Sequence, residues 1–134
     1  MTPLSLPPSA RQSSVLVVED YADLRRMMVR MLSKAGIEKI DQAQDGYECL
    51  AMAQRHAYDV ILLDISMPGI TGLEVCEKLR QSGASRSSRI IACTAHLNMA
   101  HGALFDRAGF SDILTKPFGI PELLAKSFPV ATTG

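Results

Sequence analysis

The segment VILLDISMPGITG, Val60 to Gly72, decides how the chain is organised. It opens with four apolar residues, Val60 to Leu63, a run short enough for a strand buried on both faces. The run stops at Asp64. Pro68 and Gly69 then shape a loop, and Gly72 can open a helix. One strand, a carboxylate at its end, a loop and a helix make a single βα unit.

The same rhythm recurs on both sides of this segment. Val15 to Val18, Lys39 to Ala43, Ile90 to Cys93 and Ile113 to Thr115 are further strand candidates. Between them lie amphipathic stretches. Leu24, Met27, Met28, Met31 and Leu32 form a helical stripe that Gly36 can terminate, and the methionines read as core rather than as a cofactor box. Gly46 to Arg55, Gly72 to Gln81, Leu97 to Ala108 and Gly119 to Phe128 are the later helices. The order is (βα)5, an α/β chain. Strands that read as continuous apolar runs suit a parallel sheet with helices on both faces, doubly wound. Ligands collect in such sheets at the strand C-terminal ends, so that edge is where chemistry is expected.

At 134 residues the chain is the size of one domain. Residues 1–13 read as a flexible N-terminal tail or linker, because MTPLSLPPSARQ holds three prolines and no hydrophobic period. Folding is expected to begin near Ser13, with the domain spanning 14–128 and a short tail at 129–134. Fourteen basic residues balance fourteen acidic ones, so no net charge draws the chain to nucleic acid or to an anionic membrane. No apolar stretch approaches the roughly 18 residues of a membrane span, and no signal-peptide core precedes the fold. Cys49, Cys76 and Cys93 are odd in number and lack metal-ligand spacing, which suggests reduced, packed thiols in a cytoplasmic protein.

Reading off the strand ends places Glu19 and Asp20 after the first, Asp64 after the third, Thr94 after the fourth and Lys116 after the fifth. If the strands lie side by side, three carboxylates meet. Two of them about 4 Å apart repel by about 4 kcal/mol at an effective dielectric near 20. Lys116 offsets part of this, and the remaining oxygen cluster suits Mg2+.

The motifs VVED, LLDISMPGITG, CTAH and LTKPF resemble those of response-regulator receiver domains of two-component signalling systems, over roughly Ser14 to Phe128. The resemblance implies a flavodoxin-like five-stranded parallel sheet of strand order 2-1-3-4-5. It further implies that Asp64 accepts a phosphoryl group from a phosphohistidine on a histidine kinase or histidine phosphotransfer domain. By the same resemblance Asp20 binds Mg2+ directly, Glu19 holds a metal-bound water, and the Ser66 backbone carbonyl completes the protein's share. Lys116 brackets the phosphoryl oxygens and Thr94 donates its hydroxyl to one. Such a domain is a phosphoacceptor with self-catalysed phosphorylation and dephosphorylation, not an enzyme. Lys116 and Pro117 resemble the family's cis peptide. The resemblance also implies that Ser66 and His96 occupy the two positions that border the phosphoryl group and tune its lifetime. A downstream partner would use the face built from the last two helices and the last strand.

Each feature also has a plainer reading. Acidic residues at strand ends are often helix caps or solvated loop residues, and Thr94 alone is an ordinary β-branched strand residue. Asp41 and Asp45 read as turn and surface residues, His56 and His101 as surface or helix residues. In one respect the pattern departs from the family: Ile113 stands where many receivers carry Tyr or Phe, so threonine-to-aromatic coupling is not expected. A phosphatase of the haloacid-dehalogenase type would place a second Asp two residues after the nucleophile, where this chain has Ser66. A flavodoxin-like cofactor binder would need a phosphate loop after the first strand, which is absent. A phosphorylation-independent interaction module is the alternative that remains, and both a stand-alone regulator and the receiver of a hybrid kinase are compatible with the sequence.

Overall fold

The computed structural model describes residues 8–95 and 99–129. In chain order the elements are α1 (Pro8–Arg11), β1 (Ser14–Val18), α2 (Ala22–Lys34), β2 (Lys39–Ala43), α3 (Gly46–Arg55), β3 (Val60–Asp64), α4 (Gly72–Gln81), β4 (Arg89–Thr94), α5 (Met99–Ala108), β5 (Asp112–Thr115) and α6 (Ile120–Ser127). The five strands form one sheet in the order β2-β1-β3-β4-β5. Every neighbouring pair is parallel. This is the doubly wound architecture expected from the alternation of apolar runs and amphipathic stretches.

Period-two alternation distributes the strand residues between two cores. Leu16, Val18, Ile61, Leu63, Ile90 and Ala92 face one side, where Cys49 and Ala53 of α3, Val75, Cys76 and Leu79 of α4, and Phe105 of α5 cover them. Val15, Val17, Val60, Leu62, Ile91, Cys93 and Leu114 face the other, against Met28 and Leu32 of α2 and Leu123 and Leu124 of α6. All five residues of β3 are buried, as the continuous run Val60 to Leu63 requires. The three cysteines are free and buried. Burial pushes their thiols up, to about 12 for Cys49 and Cys93 and to about 11 for Cys76, as befits packing residues.

Two expectations are corrected, the placing of Met27 in the core and of Asp41 in a turn. A short helix, Pro8–Arg11, precedes β1; Ala10 in it is buried and its carbonyl accepts from the Ser13 amide. Residues 1–7 lie outside the described residues, as do 130–134. The strand β2 is an edge, as the expected order 2-1-3-4-5 implies, and only Ala43 of it is buried. Met27 is 43% exposed, so the α2 stripe narrows to Met28 and Leu32, with Leu24 and Met31 partly buried beside them. Asp41 belongs to β2 and accepts a 2.6 Å hydrogen bond from the Tyr58 hydroxyl, which burial and this carboxylate together hold above the usual phenol range. Asp45 caps α3 by accepting from the Glu48 amide at 2.8 Å. His56 is exposed at the end of α3, while the His101 side chain lies outside the described residues.

Candidate functional site

Glu19, Asp64 and Lys116 each stand two residues beyond a member of one sheet face, namely Val17, Leu62 and Leu114. Register places Val17 opposite Leu62, and Asp64 and Leu114 on either side of Cys93. Side chains that share a face and leave the sheet at the same edge must converge, and they do. Lys116 Nζ lies 2.9 Å from Glu19 Oε1 and 3.4 Å from Asp64 Oδ1. One carboxylate oxygen from each of Glu19, Asp20 and Asp64 falls within 4.8 Å of the others. Glu19 and Asp64 are 2% and 3% exposed, whereas Asp20 opens to solvent.

The backbone holds these groups in place. Glu19 donates its amide to the Ala43 carbonyl of β2, and its second carboxylate oxygen accepts from the Tyr21 amide at 3.1 Å. Asp64 Oδ1 accepts from the Ser66 amide at 3.0 Å, and Ser66 itself is exposed. Gly72 permits a close approach, because a Cβ there would lie 2.9 Å from the Asp64 carbonyl oxygen and 2.6 Å from Ile65 Cα. Gly69 supplies the turn at φ +88°. Thr71 caps α4 by accepting from the Glu74 amide. Thr94 ends β4 in a buried position, and its carbonyl accepts from the Lys116 amide at 2.7 Å, tying the last two strands together. The Lys116–Pro117 bond is cis. His96 lies outside the described residues.

Three carboxylates against one ammonium leave a surplus of negative charge in a partly desolvated cleft. Burial pushes the Glu19 carboxyl up to about 7, opposed by its hydrogen bonds from Lys116 and the Tyr21 amide and reinforced by the charge of Asp64. For Lys116, burial works against the charged form. The hydrogen bond to Glu19 and the charge of Asp64 outweigh it, so its affinity for the proton rises. A cluster of hard oxygen donors with uncompensated charge fits Mg2+.

Two features escaped the strand-end logic. Arg25, on α2, donates to the Glu19 carbonyl at 2.8 Å. Met27 and Leu24 join Ala95, Lys116, Pro117 and Phe118 around an apolar cavity of about 330 Å3 beside the cleft. Both come from a helix whose sequence signals only amphipathicity. A methionine stripe one residue too wide for the core was the available sign of the second.

Residues 15–127 match the response regulator receiver domain family, and the chain belongs to it. The transcriptional regulatory protein ResD of Bacillus subtilis is 36% identical over 115 residues, which is 86% of this chain and 46% of ResD. Response regulator ArlR of Staphylococcus aureus is 37% identical over 114 residues, 85% of this chain and 50% of ArlR. The chain therefore spans about half the length of these curated relatives. The structure of the chemotaxis protein CheY4 of Vibrio cholerae superposes with a TM-score of 0.78 at 33% identity, covering 87% of this chain and 95% of CheY4. The receiver domain of the sensor histidine kinase PA1611 from Pseudomonas aeruginosa superposes equally well, with a TM-score of 0.78 at 29% identity over 87% of this chain and 94% of that one. It carries a magnesium ion coordinated in its active site cleft.

Proposed function

We propose that this receiver is an active phosphoacceptor, taking a phosphoryl group onto Asp64 from a phosphohistidine of a histidine kinase or histidine phosphotransfer domain. The observation that carries this reading is the placement of Asp64, buried at a strand end with its carboxylate 3.4 Å from Lys116 Nζ and beside Glu19 and Asp20. Phosphoryl transfer is largely a matter of position and charge, and those are what the cleft provides.

In the transfer an Asp64 oxygen attacks phosphorus, the P–N bond of the phosphohistidine breaks, and the imidazole leaves with the bonding pair. Lys116, kept protonated by its carboxylate partners, faces the phosphoryl oxygens as charge moves onto them. Thr94, at the adjoining strand end, supplies a hydroxyl to one of those oxygens. Asp20 and Asp64 would hold Mg2+ directly, Glu19 through a water, and Ser66 through its backbone carbonyl. When bound, the ion neutralises phosphoryl charge. Ser66 and His96 would govern access of the hydrolytic water, so Ser66→Ala and His96→Ala should change the dephosphorylation rate.

Because Ile113 is partly buried against the core and has no ring to reorient, switching would act through the surface of α5, β5 and α6 without an aromatic rotamer. A downstream protein would dock there, and the setting would be the cytoplasm. Among the described residues no helix is long and apolar enough to cross a membrane.

The test is intact-mass analysis after incubation with acetyl phosphate, with and without Mg2+. A Mg2+-dependent phosphoryl adduct on wild type and none on Asp64→Asn is expected. No adduct, together with no binding of beryllofluoride, would instead leave a phosphorylation-independent interaction module.

A further inference from the structure

Glu19 and Asp20 sit where β1 has run out of sheet, and the Glu19 carbonyl is held there by a helix side chain. Arg25 Nη1 donates to that carbonyl at 2.8 Å, and Arg25 Nε donates to Gln42 Oε1 on β2 at 3.3 Å. The guanidinium thus spans α2, the end of β1 and the edge strand with two donors in one rigid plane. Among the described residues no carboxylate lies within ion-pair distance of it. Its charge is directed at two neutral oxygens, and a charge-assisted hydrogen bond of this kind is roughly twice as strong as a neutral one.

Consequently Glu19 is held at its amide, its carbonyl and its carboxylate. Among these bonds the Arg25 contact is the one that grips the Glu19–Asp20 peptide itself. The Glu19 amide is bonded to Ala43, its carbonyl to Arg25, and its carboxylate to Lys116 and the Tyr21 amide. The plane of that peptide sets the direction in which the Asp20 side chain leaves the backbone. Asp20 is the exposed member of the carboxylate cluster and has the most freedom to lose.

We infer that Arg25 is a positioning residue for the cation site: by fixing the Glu19–Asp20 peptide it orients the acidic pair toward Mg2+. This rests on the reading of the cluster as a Mg2+ site. The inference makes a prediction opposite in sign to simple electrostatics. Removing a positive charge near a cation site should tighten cation binding by Coulomb attraction alone. Loss of an outer-shell partner weakens it, commonly by about 10- to 100-fold.

The experiment is calorimetric titration of Mg2+ into wild type, Arg25→Gln and Arg25→Lys at fixed pH and ionic strength, with far-UV circular dichroism on each metal-free protein. Arg25→Gln is expected to bind Mg2+ about tenfold more weakly. Arg25→Lys, which keeps the charge but not the two-pronged plane, should bind severalfold more weakly. An Arg25→Gln dissociation constant equal to or tighter than wild type would overturn the inference, even if that variant melts earlier. Should Arg25→Gln fail to fold, Arg25→Lys decides, and a wild-type constant for it overturns the inference. Absence of Mg2+ binding by wild type would instead sink the metal reading on which both depend.

Discussion

The two edges of the sheet obey opposite rules. At the strand N-terminal edge polar groups meet complementary partners, with the buried Ser127 Oγ an exception. Arg80 donates to the carbonyls of Gly109, Arg86 and Ser88 at 2.8, 3.0 and 2.6 Å and to Ser111 Oγ at 3.2 Å. Ser111 Oγ in turn accepts from the Ile90 amide, and Ser85 Oγ accepts from the Tyr58 amide while donating to the His56 carbonyl. Ser88 Oγ donates to the Tyr58 carbonyl. Arg89 and Lys126 share Asp112. At the C-terminal edge, by contrast, like charges are gathered around a single lysine. One edge stabilises the fold, and the other holds a charge imbalance that the fold must carry. Such a surplus of negative charge is what a cation site uses, and it fits the proposed reading of this edge.

Substitution at Arg80 tests the division most strongly. Arg80→Ala strips donors from three carbonyls and should lower unfolding free energy by about 3 kcal/mol. Urea denaturation would measure this. Mg2+ affinity should stay at the wild-type value, and a change in it would show that the edges are coupled.

The next effect is a pH dependence. Glu19 is raised from 4.5 to about 7 in the fold, so the folded state holds its proton more tightly than the unfolded chain. Its contribution to stability is fully present below the unfolded value and declines as pH rises from about 4.5 to about 7. Over that window metal-free wild type should lose up to about 3 kcal/mol relative to Glu19→Gln. Thermal melts of both proteins across that range check the sign. A difference that is flat with pH would mean that Lys116 fully compensates Glu19.

The smallest effect is back at the N-terminal edge. Asp112 is held below the usual carboxylate range: burial opposes this, but the Ile113 amide, Lys126 and Arg89 prevail. Its contribution is present above the unfolded value near 3.8 and is lost as pH falls through the lower folded value. The group is about one-third exposed, so Asp112→Asn should cost less than about 1 kcal/mol at neutral pH. Chemical denaturation at pH 7 would measure it, and a loss above 2 kcal/mol would mark this edge as more desolvated than it looks.

The edge of the candidate site was the more legible of the two. Asp64 and Thr94 end their strands, Glu19 and Lys116 follow directly on theirs and Asp20 comes one residue later, so recognising five strands was enough to place them all at one edge. The opposite edge left no such trace. Arg80 is a helix residue whose partners lie up to 31 positions away, and Ser85 and Ser88 read as loop composition. Met27 was assigned to the core because period alone cannot tell the centre of an amphipathic stripe from its margin.

The sequence by itself determined the βα alternation, the parallel sheet and the residues standing at its carboxyl edge, because each is encoded by local periodicity and by the residue that ends each run. Only the tertiary structure decided that Lys116 reaches Glu19 across 97 positions at 2.9 Å, that Arg25 holds the Glu19 carbonyl, and that Met27 lies outside the core. Those depend on which strands are neighbours and on how the helices lie across them. Side-chain reach and helix placement follow from the packing of two whole cores, which no single stretch of sequence contains.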